Sequence, residues 1–261
     1  MDQLIFWIIG FSLLGGVLSV LLAATFLLLP APVRANTVPK LVSFAIGSLL
    51  GAAFLALLPH ALTSPGIDDP HDIFLVVLLG ILSFFLLEKL VLWRHCHSVS
   101  CEAHGHGDHD HQHKSAANLI LFGDAVHNLL DGMLIAAAFM TDIELGIVTS
   151  LAVIAHEIPQ EVGDFAILLQ GGLSRGRALL FNMLSSLATV VGGVAAYLFL
   201  AQMSHLTPYL LAIAASSFIY IAVADLIPGL HKKVDVATTL QQILLILSGV
   251  VVIYFAHSSL H

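Results

Sequence analysis

Long apolar runs alternate with short polar breaks along the whole chain. Crossing about 30 Å of hydrocarbon at roughly 1.5 Å per residue takes about 20 apolar residues in a helix. Runs of that kind occupy Leu4–Leu29, Leu41–Leu62, Ile73–Trp93, Asn118–Met140, Ile143–Gly171, Ala178–Met203, Pro208–Leu230 and Leu240–His257. The pattern predicts an all-α integral membrane protein with eight transmembrane helices. Because most connections are short, residues 1–261 are expected to form one transmembrane domain. The first run is too long for a signal peptide and follows Asp2 rather than a basic segment. Small residues line the second run (Gly47, Ser48, Gly51, Ala52, Ala53) and the sixth (Ser185, Ser186, Gly192, Gly193), which lets helix backbones approach closely.

Composition agrees with the pattern. Hydrophobic residues make up 58% of the 261 positions and charged residues only 10%, whereas a soluble domain carries roughly 25% charged residues. No basic patch with interleaved aromatics is present, which argues against nucleic acid as a partner. The formal net charge of −8 says little about partners, because several acids lie inside the apolar runs. The position of the charge says more. Arg34, Lys40, Lys89, Arg94, Lys114, Arg175, Arg177, Lys232 and Lys233 all fall in or beside the odd-numbered connections. The opposite ends carry Asp2, Asp68, Asp69, Asp72, Asp142 and Glu144. By the positive-inside rule both termini are expected outside and the odd connections in the cytoplasm.

The third connection, residues 94–117, is the long polar one. It holds His95, His97, His104, His106, His109, His111 and His113, with Cys96 and Cys101. Such a tract cannot build a core and is expected to be a His-rich cytoplasmic loop that binds metal weakly at several places, or else a plain solvated linker. On the reducing side of the membrane the two cysteines are expected to be thiols rather than a disulfide.

Two of the apolar runs carry charge where lipid would penalise it. The fifth contains His156, Glu157, Gln160, Glu161 and Asp164, which form one continuous stripe on a helix. The fourth contains Asp124, His127, Asn128 and Asp131 at the same kind of spacing. A carboxylate at mid-membrane costs roughly 2.5–3.5 kcal/mol, so three unpaired ones on the fifth run would cost on the order of 8–10. A divalent cation between the two stripes removes that cost. His127 and Asp131, like His156 and Gln160, stand one turn apart, so that each pair can converge on one ion, while Asn128 and Glu157 lie offset beside them. Two cations sharing a carboxylate fit this arrangement. Pro159 adds a helix interruption that frees the carbonyl of Ala155 near the stripe. Taken singly, Asp124, Asn182 and Asp225 fit interhelical hydrogen bonding as well as ligation.

At these residues the sequence resembles the Zrt/Irt-like (ZIP) transporters of divalent metals. The motifs HNLLDG and HEIPQE carry the likeness, with HEIPQEVGDFAILLQGG similar to the branch that reads HExPHExGDFAxLL. Asn182 with Ser185 and Ser186, FIYIAVADLIPGL at 218–230 and LLPHA at 57–61 extend it over essentially the whole chain. The resemblance implies a 3+2+3 bundle in which spans four and five are enclosed by two three-helix groups, and pairing into a homodimer. It implies a binuclear site with His127, Asp131, His156 and Gln160 at one metal and Asn128, Asp131 and Glu157 at the other. Asp124, Glu161 and Asp164 are accessory candidates. Gln160 stands where relatives carry His or Glu, and Ala52 and Ala56 stand where that branch tends to carry Asp and His. Fewer nitrogen ligands would relax zinc preference toward Mn²⁺ or Fe²⁺.

The expected function is import of divalent cations, Zn²⁺ first, into the cytoplasm, with the metal as substrate and no cofactor. A multi-pass protein of a bacterial inner membrane is expected from the compact connections. The rival is an intramembrane zinc-dependent hydrolase, but the HExxH motif of membrane zinc proteases fails at Gln160.

Overall fold

A single residue, Asp142, separates two long helices. A computed structural model describes residues 2–96, 109–200, 202–231 and 235–260. In it the helix His109–Thr141 ends just before Asp142 and the helix Ile143–Gln170 begins just after. The Asp142 carboxylate accepts from the backbone N–H of Glu144 at 2.7 Å and of Leu145 at 3.4 Å, an N-cap that satisfies donors with no partner inside the helix. The chain therefore reverses in the space of one residue, and the two helices run side by side.

Among the described residues the backbone forms eight continuous helical rods and no strand. They are α1 (Gln3–Phe26), α2 (Ala31–Thr63), α3 (Pro70–Cys96), α4 (His109–Thr141), α5 (Ile143–Gln170), α6 (Arg175–Leu200), α7 (Thr207–Leu230) and α8 (Val236–Leu260). Six of them are long and apolar enough to cross a membrane: α1, α2, α3, α6, α7 and α8. The two that carry the polar stripes, α4 and α5, are not among the six. Helical backbone reaches Cys96 and resumes at His109, so both ends of the segment read as a 94–117 loop are helical. Its remainder, 97–108, lies outside the described residues.

The rods pack by close backbone approach. α4 lies along α6 and touches α1, α2 lies along α8 and touches α7, and α3 leans on α7. α5 runs between these groups and meets α1, α2, α4, α6 and α8, and His156, Glu157 and Glu161 of its polar stripe are buried inside protein. The α4–α6 contact depends on two glycines. A Cβ on Gly132 would run into the Thr189 carbonyl, and one on Gly192 into the Leu129 carbonyl.

Two walls of the bundle share a device. α2 widens into a π-helical turn at Ala52–Leu57 just before Pro59, and α7 does so at Ile221–Leu226 just before Pro228. Proline lacks the N–H that would bond one turn back and crowds the carbonyl there, and a wide turn relieves both problems. Ala52, Ala53 and Ala56 on the α2 turn are fully buried. α5, by contrast, stays helical through Pro159.

Gly132→Val or Gly192→Val should push α4 off α6. We expect destabilisation of about 3 kcal/mol or more, read as a drop in melting temperature of the purified protein. Gly123→Ala, whose Cβ meets open space, should hold or raise it slightly by removing helix-interior glycine.

Candidate metal site

The tight α4–α5 turn decides which residues share a depth. His127 and Asp131 lie 15 and 11 residues before Asp142, and His156 and Glu157 lie 14 and 15 after it. At 1.5 Å per residue both pairs sit on the order of 20 Å from the turn. Side by side at equal depth, their ligand atoms all fall within 4.8 Å of one another.

The geometry suits a cation. His127 Nε2 is 3.3 Å from His156 Nε2, 3.8 Å from Asp131 Oδ2 and 3.4 Å from Glu157 Oε1. His156 Nε2 is 3.2 Å from Asp131 Oδ2 and 3.7 Å from Glu157 Oε1. Four ligands at about 2.0–2.2 Å from a tetrahedral zinc would stand roughly 3.3–3.6 Å apart. His156 is aimed by its other nitrogen, since Nδ1 sits 3.0 Å from the Ala152 carbonyl. Donation there leaves Nε2 as the lone-pair ligand. The Phe218 ring of α7 stands edge-on to the His156 ring, with centroids 6.1 Å apart, and closes that side. Asp131, His156 and Glu157 are buried, and His127 keeps 23% of its side chain exposed.

Burial without partners is the strongest sign of what belongs there. Asp131 Oδ1 and Oδ2 and Glu157 Oε1 and Oε2 are all buried with no hydrogen-bond donor. A contact between the two imidazoles satisfies neither carboxylate. Buried carboxylates with no hydrogen-bond donor are costly unless a cation joins them.

Around this group lies a hydrogen-bonded layer supplied by α6. Asn128 Nδ2 donates to Asp124 Oδ1 at 2.9 Å and to the Asp124 carbonyl at 3.1 Å, while its Oδ1 accepts from Thr189 at 2.8 Å. The other Asp124 oxygen accepts from the Ser185 hydroxyl. Glu161 Oε2 accepts from Asn182 Nδ2 at 2.8 Å. Asp124, Asn128 and Glu161 are thus engaged with α6, and the structure does not bring them into the converging four. Gln160 and Asp164 are half-buried and make no hydrogen bond or ion pair among the described residues. Thr189 escaped sequence reasoning. Its signal was the spacing Asn182, Ser185, Thr189, which puts three polar groups on one face of an apolar helix. Asp225 is exposed on the wide turn of α7.

Fold and site together define a multi-pass, all-helical membrane protein with a group of side chains inside its bundle that could hold a metal ion. Residues 93–257 match the family model described as ZIP Zinc transporter. The chain is 32% identical over 265 residues to zinc transporter ZIP13 of Pongo abelii, an alignment covering 92% of this chain and 76% of that protein. It is 32% identical over 289 residues to zinc transporter zipt-7.2 of Caenorhabditis elegans, covering 89% and 62%. Over 117 residues it is 43% identical to human zinc transporter ZIP4, covering 45% of this chain and 18% of that protein. The chain belongs to the ZIP zinc transporter family. It is a metal-ion transporter with zinc as substrate rather than cofactor, and not an enzyme, which removes the hydrolase alternative.

Glu157→Gln removes a buried charge that has two imidazoles near it but no hydrogen-bond donor. The metal-free variant should melt above the parent, by an amount on the order of 1–3 kcal/mol, and should lose the stabilisation that added Zn²⁺ confers on the parent. Equal zinc-induced shifts in both proteins would remove Glu157 from the site.

Proposed function

We propose that this protein imports Zn²⁺, and secondarily Mn²⁺ or Fe²⁺, into the cytoplasm through a binuclear site on α4 and α5. The observation that carries the reading is the set of four unpartnered oxygens on Asp131 and Glu157. One cation held by His127, His156, Asp131 Oδ2 and Glu157 Oε1 would leave Asp131 Oδ1 and Glu157 Oε2 still without partners. A second cation beside the first, bridged by Asp131, would satisfy them, with Asn128 next to it and Gln160 completing the first. Membership of the ZIP family and the zinc named in its relatives' descriptions support the substrate.

Direction and topology belong to the same proposal. Eight spans with both termini outside agree with the eight rods and with the basic residues confined to one set of connections. The opposite set is acidic, and at its Asp69 the backbone N–H of His71, and then its ring, hold the carboxyl below its ordinary value. That keeps negative charge at the entrance, where it raises the local cation concentration. The ion would shed its water to the buried ligands, and rocking of the bundle would release it inward. The short connections are the support for a bacterial inner membrane, and the family resemblance is the support for a homodimer.

His127→Ala, Asp131→Ala and His156→Ala should each abolish most zinc uptake in proteoliposomes at matched protein levels. Near-normal uptake in any two of them would overturn the site.

Gln160→His should raise the Zn²⁺/Mn²⁺ uptake ratio in competition, because imidazole favours zinc over harder ions. The zinc transport rate should fall if the ion is held too firmly to leave. An unchanged ratio would take Gln160 out of the metal's coordination.

A further inference from the structure

Beside the facing stripes, at the end of the bundle that carries the basic residues, α1, α5 and α6 leave a cavity of about 410 Å³. Its walls are mostly hydrocarbon: Leu21 of α1, Leu28 just beyond it, Phe165 and Leu169 of α5, and Leu179 of α6, with Thr25 of α1 among them. Leu28 is 75% exposed, so the cavity opens sideways, toward what would be lipid. Two guanidiniums, Arg34 and Arg175, also line it.

The placement of those arginines is electrostatically wrong on its own. Arg175 opens α6 and Arg34 stands in the first turn of α2. Helix N-termini carry partial positive charge and favour anions rather than cations. Neither arginine has a carboxylate partner among the described residues. Arg34 spends one N–H on the Leu27 carbonyl at 3.2 Å, which leaves its remaining donors for another group. An anion between the two side chains would reverse the sign of each unfavourable contact. The transported cation is a poor fit as occupant, since two guanidiniums repel it and, the arginines apart, the only polar side chain in the lining is the Thr25 hydroxyl, which is bonded to the Leu21 carbonyl.

We propose that this groove binds one anionic phospholipid, its phosphate on Arg34 and Arg175 and an acyl chain along Leu21, Leu28, Phe165 and Leu169. Guanidinium forks match phosphate oxygens in pairs, and basic pockets between membrane helices are suited to lipid headgroups. The apolar walls select a lipid over free phosphate, because they have nothing to gain from a small hydrated ion. This site does not depend on the transport reading.

The test uses the whole protein, purified and delipidated in detergent, then given phosphatidylglycerol, phosphatidylcholine with the same chains, or inorganic phosphate. Bound lipid is counted by native mass spectrometry, and melting temperature is followed in parallel. Phosphatidylglycerol should form a one-to-one adduct and raise the melting temperature, while the other two at equal concentration should do neither. The double substitution Arg34→Gln with Arg175→Gln should weaken the adduct by at least about tenfold. Arg177→Gln, on the same exposed turn but outside the cavity lining, should stay within about twofold of the parent. If the double variant does not fold, Arg175→Gln alone, at an exposed position, should still weaken the adduct by about threefold or more. Equal binding of phosphatidylcholine, the same stabilisation by phosphate alone, or full retention of phosphatidylglycerol by the arginine variants would overturn the proposal.

Discussion

Two carboxylates, Asp131 and Glu157, sit in the bundle with no hydrogen-bond donor on any of their four oxygens. In a medium that cannot solvate them, they need a compensating positive charge within bonding distance. The two nearest side chains are the imidazoles of His127 and His156, and the His156 ring stands against the Ala152 carbonyl. A cation among these four groups, as proposed above, would supply that charge.

The rest of the structure brings those charges together and keeps everything else away. The Asp142 cap folds α4 against α5 within one residue, which sets the depth of both ligand pairs from a single point. Gly132 and Gly192 let α6 come close enough for Thr189, Ser185 and Asn182 to bond the neighbouring polar groups. That layer occupies Asn128, Asp124 and one oxygen of Glu161, so their polarity is largely spent inside protein. A side chain at Gly132 would therefore disturb the hydrogen bonds that orient the stripe as well as the packing. Stability and function are coupled here through one helix contact.

Neutralisation at the opposite sign recurs at the bundle's basic end. Arg34 and Arg175 crowd two helix N-termini around a hydrocarbon groove. The central site lacks positive charge and the groove lacks negative charge, and each is shaped for a different visitor. The walls make the distinction: imidazole nitrogens and carboxylate oxygens converge in one, and mostly carbon lines the other.

Much of this protein was legible in its sequence. Uninterrupted apolar runs announce membrane helices because lipid leaves the backbone no option but internal hydrogen bonding. Polar residues at helical spacing within such runs singled out His127, Asp131, His156 and Glu157, whose ligand atoms the fold gathers within 4.8 Å. Basic residues confined to alternate connections suggested an orientation. Other features were decided only in three dimensions. Asn128 and Thr189 are bonded to each other across α4 and α6, and one-dimensional spacing cannot distinguish an amide aimed at a metal from one aimed at a neighbouring hydroxyl. The placing of Arg34 and Arg175, far apart in the chain, on one cavity, and the wide turns before Pro59 and Pro228, were likewise settled by packing. Periodicity reports which face of a helix is polar, but what that face meets depends on how closely another backbone can approach.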